Sequence, residues 1–259
     1  MKNNREAVKG RQLQILQHVR ERGEVRTEEL AELFRTSLMT IRRDLQVLEG
    51  QSLIYRTHGG ALSLDRARRT GSDSLNISYY REKISEYAAR FLKDGDRIFI
   101  NGSRTALNML KYAGEKKIYV FTNNGWAVGE NYPPGVTIRF TGGEIRSRIM
   151  TGDLAMRNLL ETEAVKTFIG CAAVYWDGEF RYDIPNEIGI NEAMLSRTQK
   201  NVYVLADHTK IRGRESDGEQ RYGSCMYDYP VTLVTDSEAD PESVRKLTRA
   251  GLKVILVPV

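Results

Sequence analysis

The run IFINGSRTALNML places Gly102, Ser103, Arg104 and Thr105 between an apolar, strand-like stretch and the start of a helical pattern. At such a turn backbone N–H groups point outward and can hold a phosphate. Ser103 and Thr105 add hydroxyl donors, and Arg104 adds a planar fork for bidentate contact to the same anion. A lone Gly-Ser turn is equally an ordinary loop, so its company decides. Two more apolar runs end in Thr122-Asn123-Asn124 and in Thr141-Gly142-Gly143-Glu144. Ligands of open α/β sheets bind outside the carboxyl ends of the strands, so these three turns are expected to converge on one crevice.

A second constellation reads SLMTIRRDLQVLE. If this helix enters a DNA major groove, Ser37, Leu38, Met39 and Thr40 at its N-terminus meet base edges. Arg42 and Arg43, opposite Ile41 and Leu45, meet phosphates or base acceptors. Arg56 and His58 add contacts from the segment that follows. The plain alternative is a solvated helix face, because adjacent arginines are common there.

The elements around these residues favour the groove. From Arg11 to Arg22, Leu13, Ile15, Leu16 and Val19 recur at helical spacing and Gly23 stops the helix. Thr27 with Glu28 and Glu29 reads as the start of a short second helix carrying Leu30, Leu33 and Phe34. Ser37 can cap a third helix running to about Glu49 on Ile41, Leu45 and Leu48. LIYRTHGGAL alternates and then turns at Gly59-Gly60, which predicts a two-stranded wing. The polar stretch SLDRARRTGSDSLN cannot pack a core and reads as a linker. Beyond it, RIFI, KIYVFT, VTIRFT, KTFIG, NVYVLA, VTLVT and KVILV alternate with helical segments at Tyr80 to Leu92 and Arg104 to Ala113, the pattern of an open α/β sheet. The expected domains are a winged helix-turn-helix over 1–62, a linker over 63–77 and an α/β domain over 78–259.

Charge separates the same two parts. Residues 1–72 hold 14 Lys and Arg against 9 Asp and Glu, whereas 73–259 hold 25 against 25, so the +5 excess lies in the first segment. A basic module ahead of a neutral one fits a polyanionic partner for the first alone. No apolar run reaches about 18 residues, and the start MKNNREAVKG lacks the apolar core of a secretory signal, so a cytoplasmic protein without membrane contact is expected. Cys171 and Cys225 are expected as reduced thiols, and His18, His58 and His208 show no metal-ligand spacing, so neither metal nor cofactor is expected.

Through TEELAELF, TIRRDLQVLE and YRTHGGAL, in order over residues 11 to 62, the chain resembles the DeoR family of bacterial sugar-catabolism repressors. Arg35 stands where that family usually carries glycine and Thr36 where it carries a small apolar residue, so the turn is expected to place an arginine at positive φ at a steric cost. The resemblance extends over about 78 to 212 through GSRTAL, TNN, TGGEIRSR, FIG, PNE and LADHTK, and implies a domain folded like ribose-5-phosphate isomerase. It further implies that the loop from Gly102 to Thr105 holds a phosphate, that Asn123, Gly142 and Gly143 line the pocket, and that Glu187, Asp207 and Lys210 contact a sugar or polyol. TNN, GGEIRSR and DHTK are closest to the glycerol-3-phosphate and sulfosugar-responsive branch. CAAVYWDG, where the family has a small acidic-glycine segment, and the bulk of Arg104 point to an unusual effector. IRGRESDGEQRYG, more polar than in the family, reads as a mobile loop or an oligomer contact.

The resulting expectation is a repressor of a carbohydrate-catabolism operon, bound to double-stranded operator DNA as a homodimer or homotetramer and released by a phosphorylated sugar or polyol. Two alternatives stand beside it. Glu187, Asp207 and Lys210 are also the residue types of a sugar-phosphate isomerase, and the α/β domain could serve oligomerisation alone.

Overall fold

The computed structural model describes residues 2–50, 53–57, 59–63, 73–146, 148–182, 186–213, 223–225, 229 and 231–259. The chain divides between Tyr79 and Tyr80 into two compact units. A helix over Asp73–Ala88 begins inside the segment expected as linker, and residues 64–72 of that segment lie outside the described residues.

The first unit runs α1 (Lys2–Arg22), β1 (Glu24–Arg26), α2 (Thr27–Leu33), α3 (Leu38–Gly50), β2 (Tyr55–Thr57) and β3 (Gly60–Leu62). Ile15, Leu16 and Val19 of α1, Leu30 of α2, and Ile41, Leu45 and Leu48 of α3 form one buried cluster with Val25, Ile54 and Ala61. The three- and four-residue spacing of these side chains turns three amphipathic stripes onto a common core. Each fully buried aliphatic side chain contributes about 1.5–3 kcal/mol. The sheet has three strands in the order β1-β3-β2, one more than the predicted wing. A three-residue strand is too short to show alternation, but Gly60 records it: a β-carbon there would stand 1.9 Å from the Val25 carbonyl oxygen, so only glycine lets β1 and β3 pair. Between α2 and α3, Arg35 has φ 48°, the left-handed conformation foreseen from the missing glycine. Asp44, buried on α3, accepts from Arg11 Nε at 2.6 Å and Gln12 Nε2 at 3.0 Å, tying α1 to α3.

The boundary falls within α4 (Asp73–Ala88), and the second unit runs from Tyr80 of that helix through β4 (Arg97–Ile100), α5 (Arg104–Asn108), β5 (Ile118–Thr122), β6 (Val136–Phe140), β7 (Glu144–Arg146), β8 (Ile149–Thr151), α6 (Asp153–Leu160), β9 (Ala164–Ile169), β10 (Ala173–Tyr175), β11 (Glu179–Arg181), α7 (Asn186–Ser196), β12 (Thr198–Leu205), β13 (Ile211–Arg212), β14 (Gly223–Cys225), β15 (Val231–Asp236), α8 (Pro241–Arg249) and β16 (Lys253–Val257). Each of the seven apolar runs singled out above forms one strand of a seven-stranded sheet ordered β16-β15-β12-β9-β4-β5-β6. All its pairings are parallel. Consecutive residues of β4 serve different cores: Ile98 and Ile100 pack with Ile84, Leu107 and Leu110, whereas Phe99 packs with Ala155, Leu159 and Met194. Burial on both faces is why the central strands β4, β9, β12 and β15 read as continuous apolar runs, whereas the outer β5 and β6 alternate covered and exposed residues.

Strand order sets the place of the site. From β4 the chain steps outward through β5 and β6, then returns to β9 on the other flank of β4 and proceeds to β12, β15 and β16. The reversal between β4 and β9 is a topological switch point, where a crevice opens beyond the strand ends.

Two smaller elements were not foreseen. A hairpin pairs β7 with β8, and a four-stranded sheet is ordered β13-β10-β11-β14. The second of these reassigns CAAVYWDG, which sequence reading took as altered pocket chemistry. Ala173, Val174 and Tyr175 are buried strand residues, Asp177-Gly178 turns the hairpin, and Trp176 donates from Nε1 to Ser243 Oγ at 2.9 Å while Lys246 lies over its ring at 3.6 Å. Of that segment only Cys171 and Ala172 reach the crevice. Residues 214–222 of IRGRESDGEQRYG lie outside the described residues. Among the described residues, no helix is long and apolar enough to cross a membrane.

Candidate functional site

In the first unit, the N-terminus of α3 is built by Ser37. Its hydroxyl accepts from the Thr40 N–H at 3.2 Å and lies 2.9 Å from Thr40 Oγ1. Ser37 thus acts as an N-cap, which fixes the helix start by satisfying an otherwise unpaired amide. Leu38 and Met39 next to it are 42% and 58% exposed although apolar. Arg42 and Arg43 are exposed as well, while Ile41, Leu45 and Leu48 point inward. Large apolar side chains beside two arginines at an exposed helix start suit base methyl groups flanked by phosphates. Arg56 lies on β2, and His58 is outside the described residues.

In the second unit, a cavity of about 370 Å³ opens at the switch point. It brings together Gly102, Ser103, Arg104, Thr105, Glu187, Asp207 and Lys210, seven of the ten effector residues read from sequence. Asn123, Gly142 and Gly143 do not line it. Asn123 is buried and donates to the Met150 carbonyl at 3.2 Å, holding β8 against the end of β5. Gly142 and Gly143 have φ of 72° and 97°, and a β-carbon on Gly143 would stand 2.3 Å from the Thr151 carbonyl oxygen, so this pair serves a tight turn against α6.

Asn101 organises the floor of the cavity. Its Oδ1 accepts from the N–H groups of Ser103 at 3.1 Å and Gly170 at 3.0 Å, and its Nδ2 donates to the Gly170 carbonyl at 3.0 Å and Asn191 Oδ1 at 3.1 Å. One buried amide therefore clamps the end of β4 to the end of β9 across the switch point. Ser103 caps α5 by accepting from the Ala106 N–H at 3.2 Å, so its O–H proton is left to donate elsewhere. Gly102 owes its identity to space: a β-carbon would stand 2.7 Å from Ile149 Cδ1 and 3.2 Å from Glu187 Oε1.

At the opposite wall, Arg81 of α4 donates from Nε to Asp207 Oδ2 at 2.7 Å. Asp207 also accepts from the Thr209 N–H at 3.2 Å and from the Thr209 hydroxyl. Burial is the largest single influence on Asp207 and pushes its pKa up, but the charge of Arg81, the bonds from Thr209 and Arg81, and nearby Lys210 together outweigh it and hold the carboxyl below its ordinary value of 3.8. The following residue, His208, is fixed to buried Asp236, through its N–H at 2.8 Å and its Nδ1 at 2.8 Å. On the β5 side, two guanidiniums pack on the Trp126 ring, Arg104 at 4.6 Å and Arg148 at 4.2 Å from its centroid.

Arg81, Asn101, Trp126 and Gly170 escaped sequence reading. Arg81 is 126 residues from its partner Asp207 and belongs to no local motif. Asn101 did carry a signal, as a polar residue closing an apolar run immediately before Gly102.

Comparison with known proteins accords with this division. The chain is 29% identical over 257 residues to the uncharacterized HTH-type transcriptional regulator YulB of Bacillus subtilis (strain 168), covering 96% of each chain. It is 26% identical over 257 residues to a putative aga operon transcriptional repressor of Escherichia coli O157:H7, covering 95% of this chain and 93% of the other. It is 27% identical over 246 residues to the lactose phosphotransferase system repressor of Lactococcus lactis subsp. lactis, covering 91% and 93%. Among solved structures, ribose 5 phosphate isomerase A from Neisseria gonorrhoeae aligns over 52% of this chain and 54% of its own at 14% identity, with a TM-score of 0.36. Residues 11–67 match the DeoR-like helix-turn-helix domain and residues 78–217 match the DeoR C terminal sensor domain. With a matching domain on either side of the polar segment, the chain belongs to the DeoR family of transcriptional regulators.

Proposed function

We propose that this regulator is a cytoplasmic repressor of a carbohydrate-catabolism operon, bound to double-stranded operator DNA as a homodimer or homotetramer and released by a phosphorylated sugar or polyol. The observation that carries the reading is one chain holding both an exposed helix start of the base-reading kind and a polar cavity at the sheet switch point. That cavity mixes cations, Arg81, Arg104 and Lys210, with carboxylates, Glu187 and Asp207. Cations and hydroxyls suit a phosphate, and carboxylates accept from sugar hydroxyls.

In this reading Ser103, Thr105 and the adjoining backbone take the phosphate, and Glu187, Asp207 and Lys210 take the hydroxylated part. Leu38, Met39, Thr40, Arg42 and Arg43 meet DNA, with Ser37 setting their helix and Arg56 and His58 contributing from the wing. The repressors named for an aga operon and for a lactose phosphotransferase system support a sugar-linked role. The resemblance of TNN, GGEIRSR and DHTK to the glycerol-3-phosphate and sulfosugar-responsive branch is the support for an effector of that kind. An isomerase is disfavoured because Asp207, fixed by Arg81 and Thr209 with a depressed pKa, is a poor base near neutral pH.

Release requires the effector to bind the DNA-free arrangement more tightly than the bound one, with coupling of about 1–3 kcal/mol. The test uses the full chain. Duplexes it retains are selected from a randomised library, and glycerol 3-phosphate, glucose 6-phosphate and their unphosphorylated parents are titrated while melting temperature and duplex affinity are followed. A phosphorylated member is expected to raise the melting temperature and weaken the selected duplex. If no member does both, the reading fails.

A further inference from the structure

Resting on the sensing role proposed above, we infer that Arg81 binds a hydroxyl of the sugar or polyol and is the residue through which occupancy of the cavity reaches α4. This helix runs without a break from Asp73 to Ala88, and the boundary between the two units falls inside it, between Tyr79 and Tyr80. A continuous helix carries a shift from one turn to the next, because its backbone bonds fix each turn on its neighbour. The first residues beyond the boundary are the ones that meet the cavity wall. Tyr80 lies edge-on to His208, with ring centroids 5.4 Å apart, and Arg81 donates from Nε to Asp207 at 2.7 Å while also lining the cavity. One turn later, on the same helix face, the hydroxyl of buried Ser85 lies 2.8 Å from the carbonyl oxygens of both Arg81 and Thr105. Thr105 belongs to the loop proposed to take the phosphate, and Asp207 to the wall proposed to take the hydroxylated part. A single turn of α4 is therefore tied to both walls.

The two members of the ion pair differ in freedom. The Asp207 side chain is 2% exposed and its Oδ1 is held by the N–H and hydroxyl of Thr209, whereas the Arg81 side chain is 44% exposed. The turn that carries Asp207 is fixed as well, since His208 is bonded twice to buried Asp236. Arg81 is thus the movable member, and an ion pair so open to water holds a helix weakly. A bound hydroxyl changes this. It accepts a hydrogen bond from a guanidinium N–H and donates its own proton to the carboxylate. The bond to Asp207 uses Nε, which leaves the terminal N–H groups of Arg81 for the ligand. Arg81, Asp207 and the hydroxyl then close a network that excludes water and is stronger than the pair alone. Ligand binding and the fastening of α4 become one event, which supplies the differential affinity that release requires.

The test uses the full chain, the selected duplex and whichever of glycerol 3-phosphate and glucose 6-phosphate weakens that duplex. In the parent, a saturating probe is expected to lower duplex affinity by about 5–150-fold and to slow hydrogen exchange of the α4 amides from Ile77 to Ile84. Arg81→Met keeps an apolar stem and a helix-favouring residue but removes the guanidinium. The variant is expected to bind the probe still, through the loop that takes its phosphate, as followed by calorimetry. Its duplex affinities with and without saturating probe are expected to differ by less than about twofold, and its α4 exchange not to respond to the probe. Each chain is its own reference at saturation, so a weaker probe affinity does not enter the ratio. A parent-level ratio in Arg81→Met, complete loss of probe binding by that variant, or α4 exchange in the parent that ignores a bound probe overturns Arg81 as the link and leaves sensing intact. If neither probe weakens the duplex of the parent, the sensing reading and this inference fail together.

Discussion

Gly170 faces Ser103 so closely that a β-carbon at 170 would stand 2.4 Å from the Ser103 hydroxyl oxygen and 2.7 Å from its Cβ. The ends of β9 and β4 are thus packed to contact at the switch point, with Asn101 bonded to both. The cavity floor exists because one strand end lacks a side chain.

Gly170→Ala must therefore displace the loop that carries Ser103. The expected result is a loss of phosphate-probe affinity of about 10–100-fold, the value of one or two charge-assisted bonds, with a stability cost of about 1–3 kcal/mol from overpacking. Binding to the selected duplex in the absence of ligand stays at the parent level. Calorimetry with glucose 6-phosphate and a duplex titration read the two effects separately; unchanged ligand affinity would falsify the floor assignment.

Arg35 holds φ 48° between α2 and α3, where a β-carbon is crowded. Arg35→Gly removes that crowding, partly offset by the greater freedom of glycine in the unfolded chain. The expected net gain is about 0.5–1 kcal/mol in the first unit, seen as slower hydrogen exchange of the amides of α1 and α3. No gain, or a loss, shows that Arg35 makes contacts worth more than its backbone strain.

Asp207 makes the second unit sensitive to acid. Its folded pKa lies below the ordinary 3.8, so in that interval the unfolded chain binds more protons and stability rises with pH. The contribution is fully present above 3.8 and disappears as pH falls from there through the folded value. Urea unfolding followed by the fluorescence of Trp126 and Trp176, both in this unit, is expected to show a steeper loss of stability below pH 4 for the parent than for Asp207→Asn. Parallel curves count against the Arg81 pairing as its cause.

Arg42→Ala and Arg43→Ala test the exposed face of α3. If either contacts phosphate alone, affinity for all duplexes falls together and the slope of log affinity against log salt becomes less negative by about 1. If it reads a base, discrimination between selected and unrelated duplexes falls by about 1–3 kcal/mol. Parent-level binding by both variants removes α3 from the groove.

Much of this architecture is written locally. The spacing of Ile41, Leu45 and Leu48 makes α3 amphipathic wherever it packs, Ser37 caps it through a residue three positions away, and the seven β-branched and apolar runs each become a strand, the central ones without alternation because both their faces are buried. The missing glycine at 35 was likewise readable, since positive φ is a property of one residue's own backbone.

What the chain could not declare in one dimension is proximity. Asn123, Gly142 and Gly143 end strands as expected, yet they serve β8 and α6, because neighbouring strand ends offer space for packing as well as for ligand. Val174 and Tyr175 are core of a small sheet in which β11 is the adjoining hairpin strand but β13, their partner on the other side, is remote in sequence. By itself the sequence determined two units, their elements and the residue types available at each strand end. Only the tertiary structure decided that Arg81 meets Asp207, that Asn101 joins β4 to β9 and that Arg104 turns toward Trp126. Such contacts arise from strand order and close packing between distant segments, and no local periodicity encodes them.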